Sequence, residues 1–456
     1  MLLTEKFAAL TVGTDYSAIP PEAVEKAKQC MLDTVGVAIA GSAEAIRQPV
    51  SHYLDAVGGH ADATLIGIGG KTSVTGAALA NGVFGHVLDY DDTNQIFIGH
   101  GSVVIVPAIL ALAEKLEASG RDMLTAYMVG TEVQWKLGEA LVDCGDHYAR
   151  GWHSTCTVGA FGATAAAAKL LALTQGEATH AFGIAASEAG GFQEQFGTHC
   201  KSFHAGRANE IGVRAALLAK GGFTSAKTAF EGKVGYLKLV AEKYDLSKID
   251  GFGAPWGILE KTFGRGINLK AHPVCASALG AVEGMQSLMN AHGIKAEDVE
   301  RVECGVRPHS LNILMYHEPR TGLEAKFSAE YWAAITLLEG KLGLREVSDE
   351  VVRRPDVQAM VKKVKVHPDP EITVSKARVN IKVVLKDGRT LTEAYFPAKG
   401  ATDNPLTQDE LVAKFDECAQ HGGLAAARAR RAVELMLRLE SLESAAELMR
   451  CVVRAP

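Results

Sequence analysis

Cysteine pairs are missing from this chain. The eight cysteines, Cys30, Cys144, Cys156, Cys200, Cys275, Cys304, Cys418 and Cys451, stand apart with no C-x-x-C among them. That excludes zinc-finger spacing and fits a reduced compartment. Runs of basic residues are missing too. Lys and Arg number 47 against 53 Asp and Glu, a formal net charge of −6, so the basic face that nucleic acid requires is absent. No apolar run reaches the roughly 20 residues that cross a bilayer. The longest, VVIVPAILALA from Val103 to Ala113, reads as a buried helix opened by Pro107 in its first turn. The N-terminus lacks the basic region and apolar stretch of a signal peptide. Together these absences predict a cytoplasmic protein with no membrane and no nucleic-acid partner.

Nucleotide and hydrolase signatures are absent as well. GIGGKTS, Gly67 to Ser73, has Leu65 where the Walker pattern needs glycine and Thr72 where G-x-G-x-x-G needs its third. No G-x-S-x-G elbow occurs, and no dedicated metal motif is present. The expectation is an NAD-, ATP- and metal-independent protein with no cofactor.

What the chain does have is length and small residues. Its 456 residues, 47% of them apolar, suggest two or three domains and a substantial core. Residues 21 to about 265 read almost entirely as helix, with apolar positions at three-to-four spacing and many Ala and Gly that let helix backbones approach closely. Thr174 and Glu177 have capping-box spacing. Gly221-Gly222 reads as a helix stop. After FGRGINLKAHPVCAS the pattern changes. VERVECGVRP and VKKVKVHPD alternate as strands do, and KARVNIKVVLKDGRTLTEAYF is a hairpin turning at Lys386-Asp387-Gly388. Helices at Ser277–Ala291 and Phe327–Glu339 intervene. The tail returns to helix. The predicted fold is mainly α: a large all-helical domain, 1–265 with 400–456, plus a smaller α+β lid domain, 266–399.

The ionisable chemistry concentrates in three places. GHVLDYDDTNQIFIGHGSVVIVP, Gly85 to Pro107, carries Asp89, Asp91 and Asp92 beside apolar flanks. On a continuing helix Asp89 would share a face with Thr93 and His86. Close carboxylates suit acid–base work; a solvated helix end or a Mg²⁺ site are the competing readings. His100 and His153 each precede an apolar helix, where the helix dipole disfavours imidazolium and favours a neutral base. Ser154 or Thr155 reads as the N-cap after His153. Lys201, with His199, His204 and Arg207, forms a cationic cluster at a helix start, suited to a small carboxylate or phosphate.

GHVLDYDDTN, GWHSTCTVGAFGATAAAAKLLAL, GTHCKSFHAGRANEIGVRAALLAKGGFT and KFSAEYWAAITLLEGKL strongly resemble the MmgE/PrpD family, from about residue 5 to 440. That family includes 2-methylcitrate dehydratase, cis-aconitate decarboxylase and iminodisuccinate epimerase. The resemblance implies a helical domain with an α+β lid, a homodimer, and a metal-free site between the domains. It implies that Asp89 and Thr93 line the pocket, that His100 and His153 are catalytic, that Lys201 clamps a carboxylate and that Tyr331 belongs to the lid helix.

The chain departs from the family's usual pattern at Asn94, at Gly101 after His100, and at Ser202 after Lys201. The lid loop KAHPVCASALG has His272 before Pro273 and keeps Cys275, at the place where the decarboxylase supplies a histidine. All three family chemistries need carboxylates held and a proton moved at the neighbouring carbon.

The expected roles follow. Lys201 and Arg207 hold substrate, and His272 and Cys275 contact it from the lid. His100 and His153 divide acid and base. Asp89 orients one of them, and Tyr331 closes the site. A lyase acting on a small di- or tricarboxylate is expected, 2-methylcitrate dehydratase-like first. An epimerase of an iminodisuccinate-like dicarboxylate is the alternative; a cis-aconitate decarboxylase-like enzyme or an inactive scaffold ranks behind these.

Overall fold

The computed structural model describes residues 1–262, 265–372, 379–395 and 397–454. The chain is mainly α-helical with a smaller α+β part. Among the described residues no helix is long and apolar enough to cross a membrane.

The helical part is built from segments whose ends obey local rules. Pro21 opens the helix Pro21–Gly41, because its fixed φ and missing N–H suit the first turn. Ser73 caps Val74–Val87 by accepting from the Gly76 N–H at 3.1 Å. Thr174 and Glu177 form the expected capping box of Gln175–Ala186. Val106–Leu116 carries Pro107 in its first turn and is buried along almost its whole length.

Small residues set the closest approach. Helices Val74–Val87 and His199–Lys220 cross with Gly82 against Gly206. A Cβ on Gly82 would lie 2.7 Å from Asn209 Nδ2 and 2.8 Å from Gly206 Cα, and one on Gly206 would run into the Leu79 carbonyl. The fully buried Asn209 donates to the carbonyls of Val103 and Ala205 and accepts from the Ala108 N–H, so the helix start at Val106 is tied to the same crossing.

Two expected helices end differently. The segment reaching Asp92 stops at Val87, and Asp89 takes a left-handed backbone with φ +50°. Asp89 and Thr93 therefore do not share a helix face. The segment after His153 breaks at Val158 into Ser154–Thr157 and Gly159–Leu170.

A second hydrophobic core lies around a four-stranded sheet. In spatial order the strands are Val364–Pro368, Val299–Val306, Val379–Leu385 and Thr390–Tyr395. The first pair is parallel and the other two are antiparallel. The expected hairpin turns at Asp387-Gly388, with Gly388 at φ +88°; its flanking Lys376 to Arg378 and Phe396 lie outside the described residues. Helices Gly280–His292 and Ala329–Glu339 cover this sheet.

The tail helices Gln408–His421, Ala426–Leu437 and Ala445–Cys451 pack on the helical core, as Phe415, Met436 and Leu448 show. Lys414 pairs with Asp33 at 2.6 Å and donates to the carbonyls of Tyr90 and Lys270 at 2.8 Å each. It thereby holds two loops that a cavity shares. An antiparallel bridge, Thr93 to Asn268 and Asn94 to Ile267, joins the same loops.

Candidate active site

The helix Val74–Val87 ends inside the protein, so its last carbonyls need donors. Lys326 supplies one to the Val87 carbonyl at 2.8 Å. Burial, with Lys201 and Lys270 nearby, brings the Lys326 ammonium down to about 8. Beyond that end the three acids take three different environments.

Asp89 turns its carboxylate between two ammonium groups. Lys201 Nζ lies 2.9 Å from Oδ2, and Lys270 Nζ contacts Oδ1 and the Asp89 carbonyl. Burial raises a carboxyl, yet the two lysines outweigh it and hold Asp89 well below its ordinary range. Lys201 comes from the first turn of His199–Lys220, where Thr198 caps the helix. Its ammonium also lies 2.8 Å from His86 Nε2 and 5.5 Å from the ring centres of Phe196 and Phe327.

Asp91 stands between two imidazoles. His86 Nδ1 is 3.0 Å from its Oδ1, and His100 Nδ1 is 2.9 Å from its Oδ2, off the line of a hydrogen bond. Burial disfavours both imidazolium forms. His86 falls to about 3, and His100 drops below its ordinary value although Asp91 pulls it up. Asp91 itself is held low, because the imidazoles outweigh its burial.

Asp92 faces away. It accepts from the Ser102 N–H at 3.0 Å and from the Ser102 hydroxyl, and burial pushes it up to about 7. It fixes the loop that carries His100.

His153 is itself the N-cap of Ser154–Thr157, ahead of the Ser154 or Thr155 that the sequence suggested. Its Nδ1 lies 2.9 Å from Nδ1 of His204. Burial, Lys201 and His204 all hold it well below 6.5, and His204 falls to about 4 for similar reasons. Both rings are therefore neutral near pH 7.

These side chains meet at a cavity of about 200 Å³ between the two cores. Asp89, Thr93, His100, His153, Lys201 and Cys275 all line it. Three expected residues do not.

Arg207 pairs with Glu188 at 2.6 Å and Glu210 at 2.8 Å. At about 100° per residue, six positions turn it some 240° from Lys201 on the same helix. His272 faces the Leu342 carbonyl through Nδ1 at 2.9 Å, with Nε2 3.6 Å from Glu283. Tyr331 is fully buried in the second core and donates to the Glu346 carbonyl. Its hydroxyl is bound to the Arg345–Val347 turn, so this tyrosine braces the second core instead of closing the cavity.

Sequence reading missed Lys270 and Arg307, which also line the cavity; it named His86, Asp91 and His204 in the ionisable clusters but gave them no role as partners of the lining groups. One signal for Lys270 was available: a lysine within the apolar INLKAHPVC reads as buried, and its exposure is 0%.

His86, Asp91 and His100 are also the described residues whose ligand atoms cluster closely enough to hold a metal ion, all within 4.8 Å. An ion there would displace the imidazole–carboxylate contacts and sit beside the Lys201 ammonium, which makes the trio a poor fit to a dication.

Comparison with known proteins places the chain in a family. The MmgE/PrpD N-terminal domain profile matches residues 5–248, and the C-terminal domain profile matches 272–440. A cis-aconitate decarboxylase of Mus musculus is 28% identical over 91% of this chain and 86% of its own length. One from Aspergillus terreus is 26% identical over 96% and 94%. A 2-methylcitrate dehydratase of Salmonella typhimurium is 25% identical over 79% and 76%. Two domain models in order, together covering most of the chain, show that this chain belongs to the MmgE/PrpD family.

Proposed function

We propose that the cavity is the active site of a metal-independent lyase that moves a proton at a carbon α to a carboxylate, and that its substrate is a small hydroxy-tricarboxylate of the 2-methylcitrate kind. One observation carries the reading. A carboxylate-binding ammonium, Lys201, and two neutral imidazoles, His100 and His153, line a single cavity.

An ammonium has three donors. Asp89 and His86 occupy two on Lys201, and the third is left for a substrate carboxylate. As the α-carbon loses its proton, negative charge grows on that carboxylate, where a fixed cation helps most. His100 takes the proton on Nε2, and the imidazolium so formed is held between Asp91 at Nδ1 and Asp89, 3.6 Å from Nε2. The β-hydroxyl leaves as water with the proton returned from His100. His153, its Nδ1 accepting from His204, presents Nε2–H to that hydroxyl. An alkene and a restored imidazole result.

Decarboxylation is the second reading, favoured by the relatives of Mus musculus and Aspergillus terreus. Cys275, standing where the resemblance to that enzyme implies a histidine, counts against decarboxylation. A homodimer in the cytoplasm belongs to the same proposal, and light scattering of the purified chain tests the dimer.

The deciding experiment offers 2-methylcitrate, citrate, cis-aconitate and iminodisuccinate in D₂O with EDTA, followed by NMR. Alkene formation from 2-methylcitrate is the expected outcome. CO₂ release from cis-aconitate supports the second reading; deuterium incorporation with inversion of iminodisuccinate replaces both with epimerisation.

A further inference from the structure

Each lysine on the cavity wall already has an anion. Lys201 and Lys270 share Asp89, and Lys399 pairs with Glu410 at 2.9 Å. The cavity imidazoles are neutral near pH 7. Arg307 also lines the cavity, and among the described residues no carboxylate pairs with it. Burial and the Tyr148 hydroxyl are the influences it feels, and burial disfavours its charge. A half-buried guanidinium without a counter-charge is expensive to keep. Its partner is expected to arrive with the ligand.

The position is rigid. Arg307 follows the last residue of Val299–Val306, a strand bonded on both sides, with Gly305 paired to Asn380 and Val306 to Pro368. Pro308 then starts a short turn, in which the Ser310 N–H donates to the Arg307 carbonyl at 2.8 Å. The root of the side chain is thus fixed before substrate arrives, which limits the ordering penalty on binding. Arg307 enters the cavity from the end of a sheet strand in the second core and Lys201 from a helix of the first, so the two cations come from different elements.

We infer that Arg307 is the specificity-determining anchor for a second substrate carboxylate, remote from the one held at Lys201. This deepens the carboxylate reading of the cavity and rests on it. A planar guanidinium matches a carboxylate through two parallel hydrogen bonds, which a lysine cannot reproduce. Ligands with carboxylates at both ends bind tightly, and those with only one bind weakly through Lys201 alone.

The test uses the whole protein and tricarballylate, a tricarboxylate without a hydroxyl that cannot be dehydrated. Calorimetric titration compares wild type with R307Q and R307K. Losing one charged pair corresponds to a roughly 10- to 100-fold weaker Kd for R307Q, with a smaller loss for R307K and no change for the monocarboxylate butyrate. With the true substrate, KM rises by the same factor while kcat changes less, and millimolar guanidinium restores part of the loss. A role in packing alone gives neither the split nor the rescue.

A folded R307Q or R307K that binds tricarballylate as wild type does overturns the inference, as does wild type that turns over a substrate yet ignores tricarballylate. Arg307-dependent binding without turnover of any tested acid supports the anchor while removing the proposed reaction.

Discussion

Lys201 Nζ lies 2.8 Å from His86 Nε2, and this contact assigns a tautomer. An ammonium only donates, so the neutral imidazole accepts at Nε2 and carries its proton on Nδ1. That proton points at Asp91, 3.0 Å away. Asp91, His86, Lys201 and Asp89 therefore form one directed chain behind the cavity, and each member depends on the next.

Lys201→Met breaks the chain at the substrate end. Lys270 still neutralises Asp89, so the protein should fold. Turnover of the true substrate should fall by about 10²- to 10³-fold, the scale of removing one preorganised charge from a developing anion. Steady-state kinetics with a melting curve checks this; wild-type turnover would remove the clamp from the mechanism.

Asp91→Asn keeps the shape and changes the hydrogens. The amide offers one acceptor and two donors where the carboxylate accepts from His86 and faces the His100 Nδ1, so an N–H₂ turned to either ring makes that imidazole reverse its tautomer. kcat is expected to fall by about 10²-fold or more with KM nearly unchanged. The acid limb of kcat/KM should move to lower pH, because His100 loses the carboxylate that raises its basicity. An unchanged pH profile would show that Asp91 does not act through His100.

His147 tests the linkage of pH to stability away from the chemistry. Buried against the Val240 carbonyl and the Thr157 hydroxyl, it falls to about 4, chiefly because burial disfavours its charge. Above pH 6.5 it is neutral folded or unfolded and contributes nothing. Between 6.5 and 4 only the unfolded chain takes up the proton, so stability drops as pH falls, by up to about 1.4 kcal/mol per unit. The loss of unfolding free energy from pH 7 to pH 5 should then be about 2 kcal/mol smaller in His147→Gln than in wild type. Urea titrations at the two pH values measure it. Equal losses in the two proteins would show that His147 does not carry this term.

Cys275 lines the cavity, but burial, with Asp89 adding to it, raises its thiol above the ordinary value. Iodoacetamide at pH 7 should modify it slowly, and Cys275→Ala should retain activity within about tenfold, since a protonated thiol is a weak nucleophile. Rapid inactivation at Cys275 would assign the sulfur a chemical role.

Activity should also survive prolonged EDTA. Loss on chelation with recovery on added Zn²⁺ would convert His86, Asp91 and His100 from a tautomer-fixing trio into ligands.

Helices were legible in the sequence because their signals are local. Thr174 with Glu177, Pro21 and Pro107 act within one turn of themselves, and all three mark observed helix starts. The fate of Asp89 was not legible. Its left-handed φ ends a helix that apolar spacing continues, and the stabilising partners, Lys201 and Lys270, lie more than a hundred residues away. Arg207 was misplaced because proximity to Lys201 along the chain suggested a shared task, while helical rotation turned it to Glu188 and Glu210. Tyr331 was placed at the cavity by the family resemblance, and the second core holds it instead. Arg307 follows a strand without a motif of its own, and only the fold brings it to the cavity.

The crossing of Gly82 and Gly206 reaches further than packing. Gly82 sits one turn before His86 on one helix, and Gly206 lies a little over one turn after Lys201 on the other. The missing side chains thus act as a ruler for the gap between an imidazole and an ammonium. A single methyl there pries apart two groups it never touches, so residues with no chemistry of their own come under selection for chemistry.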